Sequence, residues 1–233
     1  MLPQSKKMTQ KGSICMLNSA KNTLLFPGIF VGFEGIDGAG KTTLIAHVLK
    51  KLVDLSCRVL TTREPGGTPI GNAIRGILQH SPAHLSPLTE AFLFAADRAE
   101  HMVAVVKPAL TKGDVVLSDR TYLSSMVYQT NESLSQETIF EINQIALQSI
   151  PLDLVVFVDI SPEEAATRFS ARTEGKSRFE ARGIEYFKKV QTRYHDLLEK
   201  MSPVIIVNGT DEIETSATTV AQKIIQIMHS KKK

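Results

Sequence analysis

Tryptophan is absent from this 233-residue chain, and cysteine occurs only twice, as Cys15 and Cys57. No CxxC spacing exists, so neither a disulfide framework nor a zinc site is indicated, and a reducing cytoplasm is the natural setting. No apolar run reaches the ~18 residues that a membrane-spanning helix needs. Charge of one sign is also scarce. The formal net charge is +3, but residues 1–28 hold Lys6, Lys7, Lys11 and Lys21 and no acidic residue. The remainder carries 23 basic against 24 acidic side chains, a net of −1. A body so close to neutrality gives no reason to expect a nucleic-acid or membrane partner.

Segment 1–28 is rich in Ser, Thr and Gln and has no Arg. Two expectations stay open for it: a targeting leader, or a start assigned upstream of the true one, with Met8 or Met16 nearer to it. Residues 29–233 are expected to form a single domain, long enough to bury a core without disulfides or a structural metal. Lys231, Lys232 and Lys233 read as a solvated tail.

Five short apolar runs punctuate the chain: Ile29–Phe33, Arg58–Thr62, Val115–Ser118, Leu154–Val158 and Val204–Val207. Each is nearly continuous in apolar or β-branched residues, as parallel strands buried on both faces require. Helical spacing lies between them. Leu44, Val48, Leu52 and Leu55 mark one face, Phe92, Ala96, Ala99, Val103, Val106 and Leu110 a long second one, and Ile213, Ala217, Val220, Ile224 and Met228 the last. Ser161-Pro162-Glu163-Glu164 supplies an N-cap and a first-turn proline. Alternation of this kind predicts an α/β fold, a five-stranded parallel sheet with helices on both faces.

The first strand leads into Gly35-Ile36-Asp37-Gly38-Ala39-Gly40-Lys41-Thr42, a full match to G-x-x-x-x-G-K-[ST]. Glycines at these positions let the backbone curl so that several N–H groups point at one anion, and the following helix adds its positive end. Lys41 places a compact charge on the β- and γ-phosphates of a nucleotide, and the Thr42 hydroxyl can ligate Mg²⁺. A Gly-rich turn that merely caps a helix is the bland alternative, but the buried strand before it and the amphipathic helix after it favour phosphate binding. A guanine reader would need N-K-x-D after a late strand. Asn208-Gly209-Thr210-Asp211 has Gly in place of Lys and reads as a turn into an Asp N-cap.

Three further motifs follow: Arg63-Glu64-Pro65-Gly66-Gly67-Thr68, Leu93-Phe94-Ala95-Ala96-Asp97-Arg98, and Ser118-Asp119-Arg120 with Ser124-Ser125 and Tyr128-Gln129 behind it. In this order, with the phosphate loop, they resemble the thymidylate kinase family from about Ile29 to the final helix. The resemblance implies transfer of phosphate from ATP to dTMP, and a homodimer formed through helices. By residue, it implies that Arg120 holds the dTMP phosphate, that Phe94 stacks on thymine and that Arg98 donates to its O4 edge. Ser125 and Gln129 would complete the base edge, and Tyr128 would crowd the sugar C2′. Asp37 resembles the carboxylate that positions the sugar or the metal. Arg63 and Glu64 look like substrate-pocket residues with roles not separable in sequence. Asp119 fits the acidic residue that assists Mg²⁺. The family often has Ala just before the tyrosine, where this chain has Val127.

One branch of the family carries an Arg in the phosphate loop. Gly38 stands there in this chain, so the resemblance places the catalytic cation in a lid at about residues 172–182, the bacterial arrangement. Arg178 matches it best and Arg172 next. No general base is needed, because a phosphate monoester with a second pKa of ~6 is already largely ionised at neutral pH. His47, His101 and His195 accordingly read as surface or packing residues. Two rival readings stay open: another nucleoside monophosphate kinase, and a non-catalytic ATP-binding regulator.

Overall fold

The computed structural model describes residues 27–81, 84–170 and 183–231. Most of the leader, residues 171–182 with Arg172 and Arg178, the arginines expected in a lid, and Lys232 and Lys233 lie outside these residues. The elements run β1 (Ile29–Glu34), α1 (Lys41–Asp54), β2 (Val59–Arg63), α2 (Pro69–His80), α3 (Pro87–His101), a π-helical segment (Met102–Val106), α4 (Lys107–Thr111), β3 (Val115–Asp119), α5 (Tyr122–Tyr128), α6 (Gln136–Leu147), β4 (Leu154–Asp159), α7 (Pro162–Ser170), α8 (Ile184–Leu198), β5 (Val204–Asn208) and α9 (Ile213–Lys231). Every apolar run expected to be a strand is one, within a residue or so at its ends. Helix entries follow local chemistry. Thr68, Ser86, Thr121, Ser135 and Ser161 each accept a bond from a first-turn amide, which satisfies one of the orphan donors of a helix start.

All strands pair in parallel in the order β2-β3-β1-β4-β5. β1 is wholly buried, and Phe30, Phe33, Leu117, Val156 and Phe157 fill the layers between sheet and helices. The outer strands depart from the expectation of burial on both faces. Only Val207 of β5 is fully buried, and Ile206 is exposed, because an edge strand is covered by fewer helices. β1 leads out to β2 on one edge, β3 returns beside β1, and the chain then crosses to β4 on the far side. Strand order therefore reverses at β1, and the crevice beyond the carboxyl ends of β1 and β3 is where such sheets bind ligands. Register brings Phe33 level with Asp119, and Asp119 level with Arg63.

The second helical face is where pattern and structure part. Phe92 is 54% and Val103 51% exposed, while Ala91, Ala95, Arg98 and Met102 point inward. The inner face of α3 carries buried charged residues, which an apolar template assigns to solvent. The π segment then adds a residue to the turn and restores Val106 and Leu110 to the core. Two terminal details also differ. The cap of α9 comes from Glu212, which accepts from the amides of Glu214 and Thr215, not from Asp211. Lys231 is not part of a free tail: its ammonium reaches Asp153 at 2.7 Å and the Gly28 carbonyl at 3.0 Å. Among the described residues no helix is long and apolar enough to cross a membrane.

Candidate active site

The loop between β1 and α1 is built on positive-φ glycines. Gly35 (φ 142°), Gly38 (φ 81°) and Gly40 (φ 98°) take conformations that side chains oppose, and a Cβ on Gly35 would lie 2.4 Å from the Val158 carbonyl oxygen. Lys41 opens α1 with its side chain folded back into the loop, where Nζ donates to the carbonyls of Gly35 (3.1 Å) and Ile36 (3.0 Å). Burial, and then the neighbouring Arg120, lower its pKa to about 8. The Thr42 hydroxyl donates to Asp119 Oδ2 at 2.6 Å, so the end of β3 and the start of α1 offer two oxygen ligands side by side.

Arg120 follows β3 with a φ of 74°, a left-handed conformation that a non-glycine residue holds only under constraint. Its guanidinium pairs with Asp37 and also donates to the Gly35 carbonyl (3.2 Å) and Ser124 Oγ (2.9 Å). The Tyr128 ring lies 5.1 Å from its Cζ, a cation–π approach. These carboxylate and ring neighbours hold its pKa well above the ordinary value against the pull of burial. One contributor here had no recognisable signal in the sequence. Glu34, the fully buried last residue of β1, accepts from the Thr121 amide (2.8 Å) and hydroxyl (2.7 Å), from Ser124 Oγ (2.7 Å) and from the Tyr194 hydroxyl (2.8 Å). It thereby fixes the start of α5 behind Arg120.

Arg63 and Glu64, inseparable in sequence, do different things. Both line the crevice, but Glu64 is buried and engaged by the protein, with Oε2 accepting from Arg98 Nε (2.7 Å) and Oε1 facing His101 Nδ1 (2.9 Å). Burial opposes ionisation of Glu64, but the Arg98 guanidinium and the hydrogen bond with His101 hold its carboxyl below the usual range. His101 is thus a packing residue, as expected, and bonds onward to Thr62 Oγ1 at 2.7 Å. Asp97 accepts from the Gly66 amide at 2.8 Å, and burial raises its pKa to about 6. Arg75, unforeseen, also faces the crevice. Its Nη1 donates to the Pro65 carbonyl (2.9 Å), and burial, aided by the guanidiniums of Arg63 and Arg120, lowers its pKa. Arg168 was missed too: it bridges the Ala39 carbonyl (3.3 Å) and the Gly209 carbonyl (2.9 Å), bracing the phosphate loop against the turn after β5.

One cavity of about 970 Å³ joins these groups. Asp37, Gly38, Gly40, Lys41, Thr42 and Asp119 line one end, and Phe94, Arg98, Ser125, Tyr128 and Gln129 the other, with Arg63, Arg75 and Arg120 between them. Of the loop residues, Gly35, Ile36 and Ala39 sit behind this lining and are buried. The Gln129 side-chain nitrogen is buried without a hydrogen-bond partner among the described residues, and its side chain lines the cavity. An orphan donor of this kind asks for an acceptor from outside the protein.

The family model for thymidylate kinase matches residues 33–220. The thymidylate kinase of Oceanobacillus iheyensis is 36% identical over 207 residues, which cover 87% of this chain and 90% of that protein. That of Geobacter sulfurreducens is 36% identical over 206 residues (85% and 97%), and that of Pelobacter propionicus 35% over 207 (85% and 94%). Matches of this extent span the phosphate loop, the crevice and the helices that frame them, and the chain belongs to the thymidylate kinase family.

Proposed function

We propose that this chain transfers the γ-phosphoryl group of ATP to dTMP, giving ADP and dTDP. The supporting observation is the single cavity that runs from Lys41 and Thr42 to Phe94, Arg98 and Gln129. A regulator that only bound ATP would have no use for further arginines and base-edge side chains lining the same cavity. The kinase domain is taken as residues 29–233, with a lid at 172–182.

Each residue has a task set by its chemistry. Lys41 and the loop amides hold the ATP phosphates. Thr42 and Asp119 form an all-oxygen pair suited to a hard cation, and would hold Mg²⁺, which supplies charge neutralisation between the phosphates. Arg120, with Arg63 and Arg75 beside it, holds the dTMP phosphate so that one of its oxygens faces the γ-phosphorus. Phe94 stacks on thymine and Tyr128 bounds the sugar. Arg98 donates to thymine O4, where cytosine presents an amino donor instead. Catalysis is alignment plus charge neutralisation, with no proton to remove. Arg178, with Arg172 as the alternative, would bring the last cation as the lid closes.

An ADP-release assay across dTMP, dUMP, dCMP, dGMP and AMP tests this reading. Turnover should be fastest with dTMP, and Arg98→Ala should cut the preference for dTMP over dCMP by about tenfold, the size of one lost base-edge contact. In the same assay Arg178→Ala should lower kcat more than it raises the KM for dTMP. An ATPase rate indifferent to every monophosphate would end the proposal.

The exposed row Leu88, Phe92 and Val103, with Ile145 of α6 (81% exposed) close by, supports a homodimer through these helices. Gln148 bonds the Ala99 carbonyl and so sets the end of α6 beside the row. Light scattering should give twice the chain mass, and Phe92→Glu should halve it. A monomer at micromolar concentration would exclude this assembly.

A further inference from the structure

Arg98 is among the most deeply buried large side chains of the described fold, yet it lines the cavity. A guanidinium has five N–H donors in a fixed plane, so its bonds on one side dictate where the other side points. Glu64 takes Nε. On Nη1, Ser125 Oγ lies at 3.3 Å and the side-chain carbonyl of Asn143 forms the closer bond. No hydrogen bond within the described residues uses Nη2.

Asn143 comes from α6, an element with no other claim on the site, and is 2% exposed. Its amide cannot be reversed freely, because Nδ2 donates to the Ile139 carbonyl one turn back at 2.7 Å. That bond leaves Oδ1 as the group facing Arg98. Glu64 alone would allow the guanidinium to swing about its Nε bond. A second acceptor on Nη1, from a different element, removes that freedom.

We propose that Asn143 is a positioning residue for base recognition: together with Glu64 it clamps the plane of Arg98, so that only Nη2 is presented to the nucleobase. This rests on the assignment of Arg98 to the base edge given above. A guanidinium held by protein acceptors at Nε and Nη1 reads one acceptor position on the base, and a group free to rotate would also tolerate a base with an amino group there. Base choice by this chain is thus set partly from α6, outside the cavity lining.

The experiment compares Asn143→Leu, close in size but unable to accept, with Asn143→Asp, which keeps an acceptor toward Arg98. Asn143→Ala serves if the leucine variant does not fold. Steady-state kinetics with dTMP and dCMP are measured beside Arg98→Ala. Asn143→Leu should raise the KM for dTMP and cut the dTMP:dCMP ratio of kcat/KM by about tenfold, leaving the KM for ATP within about twofold. Asn143→Asp should recover most of the ratio. A ratio unchanged in Asn143→Leu but reduced in Arg98→Ala would overturn the positioning role and spare the base assignment. An unchanged ratio in Arg98→Ala itself would overturn the base assignment, and this proposal with it.

Discussion

Lys41→Ala should transfer phosphate about 10³-fold more slowly, the loss expected when one preorganised charge is removed from a phosphoryl-transfer site. Its melting temperature should nevertheless be close to the parent's. Lys41 is a buried cation whose two hydrogen bonds go to carbonyls of its own loop. Losing those bonds costs about 1 kcal/mol each, and removing a desolvated charge returns a similar amount. The glycine conformations that shape the loop do not depend on the side chain. The same lysine predicts a pH response. With its pKa lowered to about 8, the free protein sheds this proton at mildly alkaline pH, whereas bound phosphates need it present. The dissociation constant for a non-hydrolysable ATP analogue should therefore be flat below pH 8 and rise about tenfold per pH unit well above it. Lys41→Ala should lack this limb. Retained turnover, or an alkaline limb that persists in the variant, would remove Lys41 from the role.

The strands and the phosphate loop were legible because a central parallel strand reads as an unbroken apolar run and a curled anion loop demands glycine. The base-side network was much less so. Asp97, Arg98 and His101 lie on the buried face of α3, where a periodic template admits only apolar residues, so it chose Phe92 and Val103, which are exposed instead. What makes those charges tolerable is supplied from elsewhere in the chain: Glu64 on the loop after β2, Asn143 on α6 and the Gly66 amide. Glu34 was hidden for the same reason. Its donors Thr121, Ser124 and Tyr194 lie 87, 90 and 160 residues away, and sequence spacing says nothing of contacts at that range. The family resemblance named several of the cavity-facing side chains, though not Arg75. It could not show which of them are held by others, as Arg98 is, and which do the holding, as Glu64 does.

Arg120 carries two burdens, one chemical and one conformational, and substitutions can separate them. As the proposed ligand of the dTMP phosphate it is already organised: bonds to Gly35, Ser124 and Asp37 fix its plane, and the Tyr128 ring lies near its face. Arg120→Ala should lower kcat/KM for dTMP by about 10³-fold, roughly 4 kcal/mol of lost transition-state binding. The KM for ATP should move far less. Arg120→Lys should recover only a small part, since a point charge on a flexible stem cannot reproduce a planar fork held on three sides. Conformation is the second burden. At φ 74° alanine is as strained as arginine, whereas glycine is at ease. Arg120→Gly should be as inactive as Arg120→Ala yet more stable by about 1 kcal/mol, or 2–4 °C in melting temperature. Equal stability of the two would mean that the left-handed turn stores no strain. A glycine variant that retained dTMP turnover would show that the phosphate is held by Arg63 and Arg75 instead.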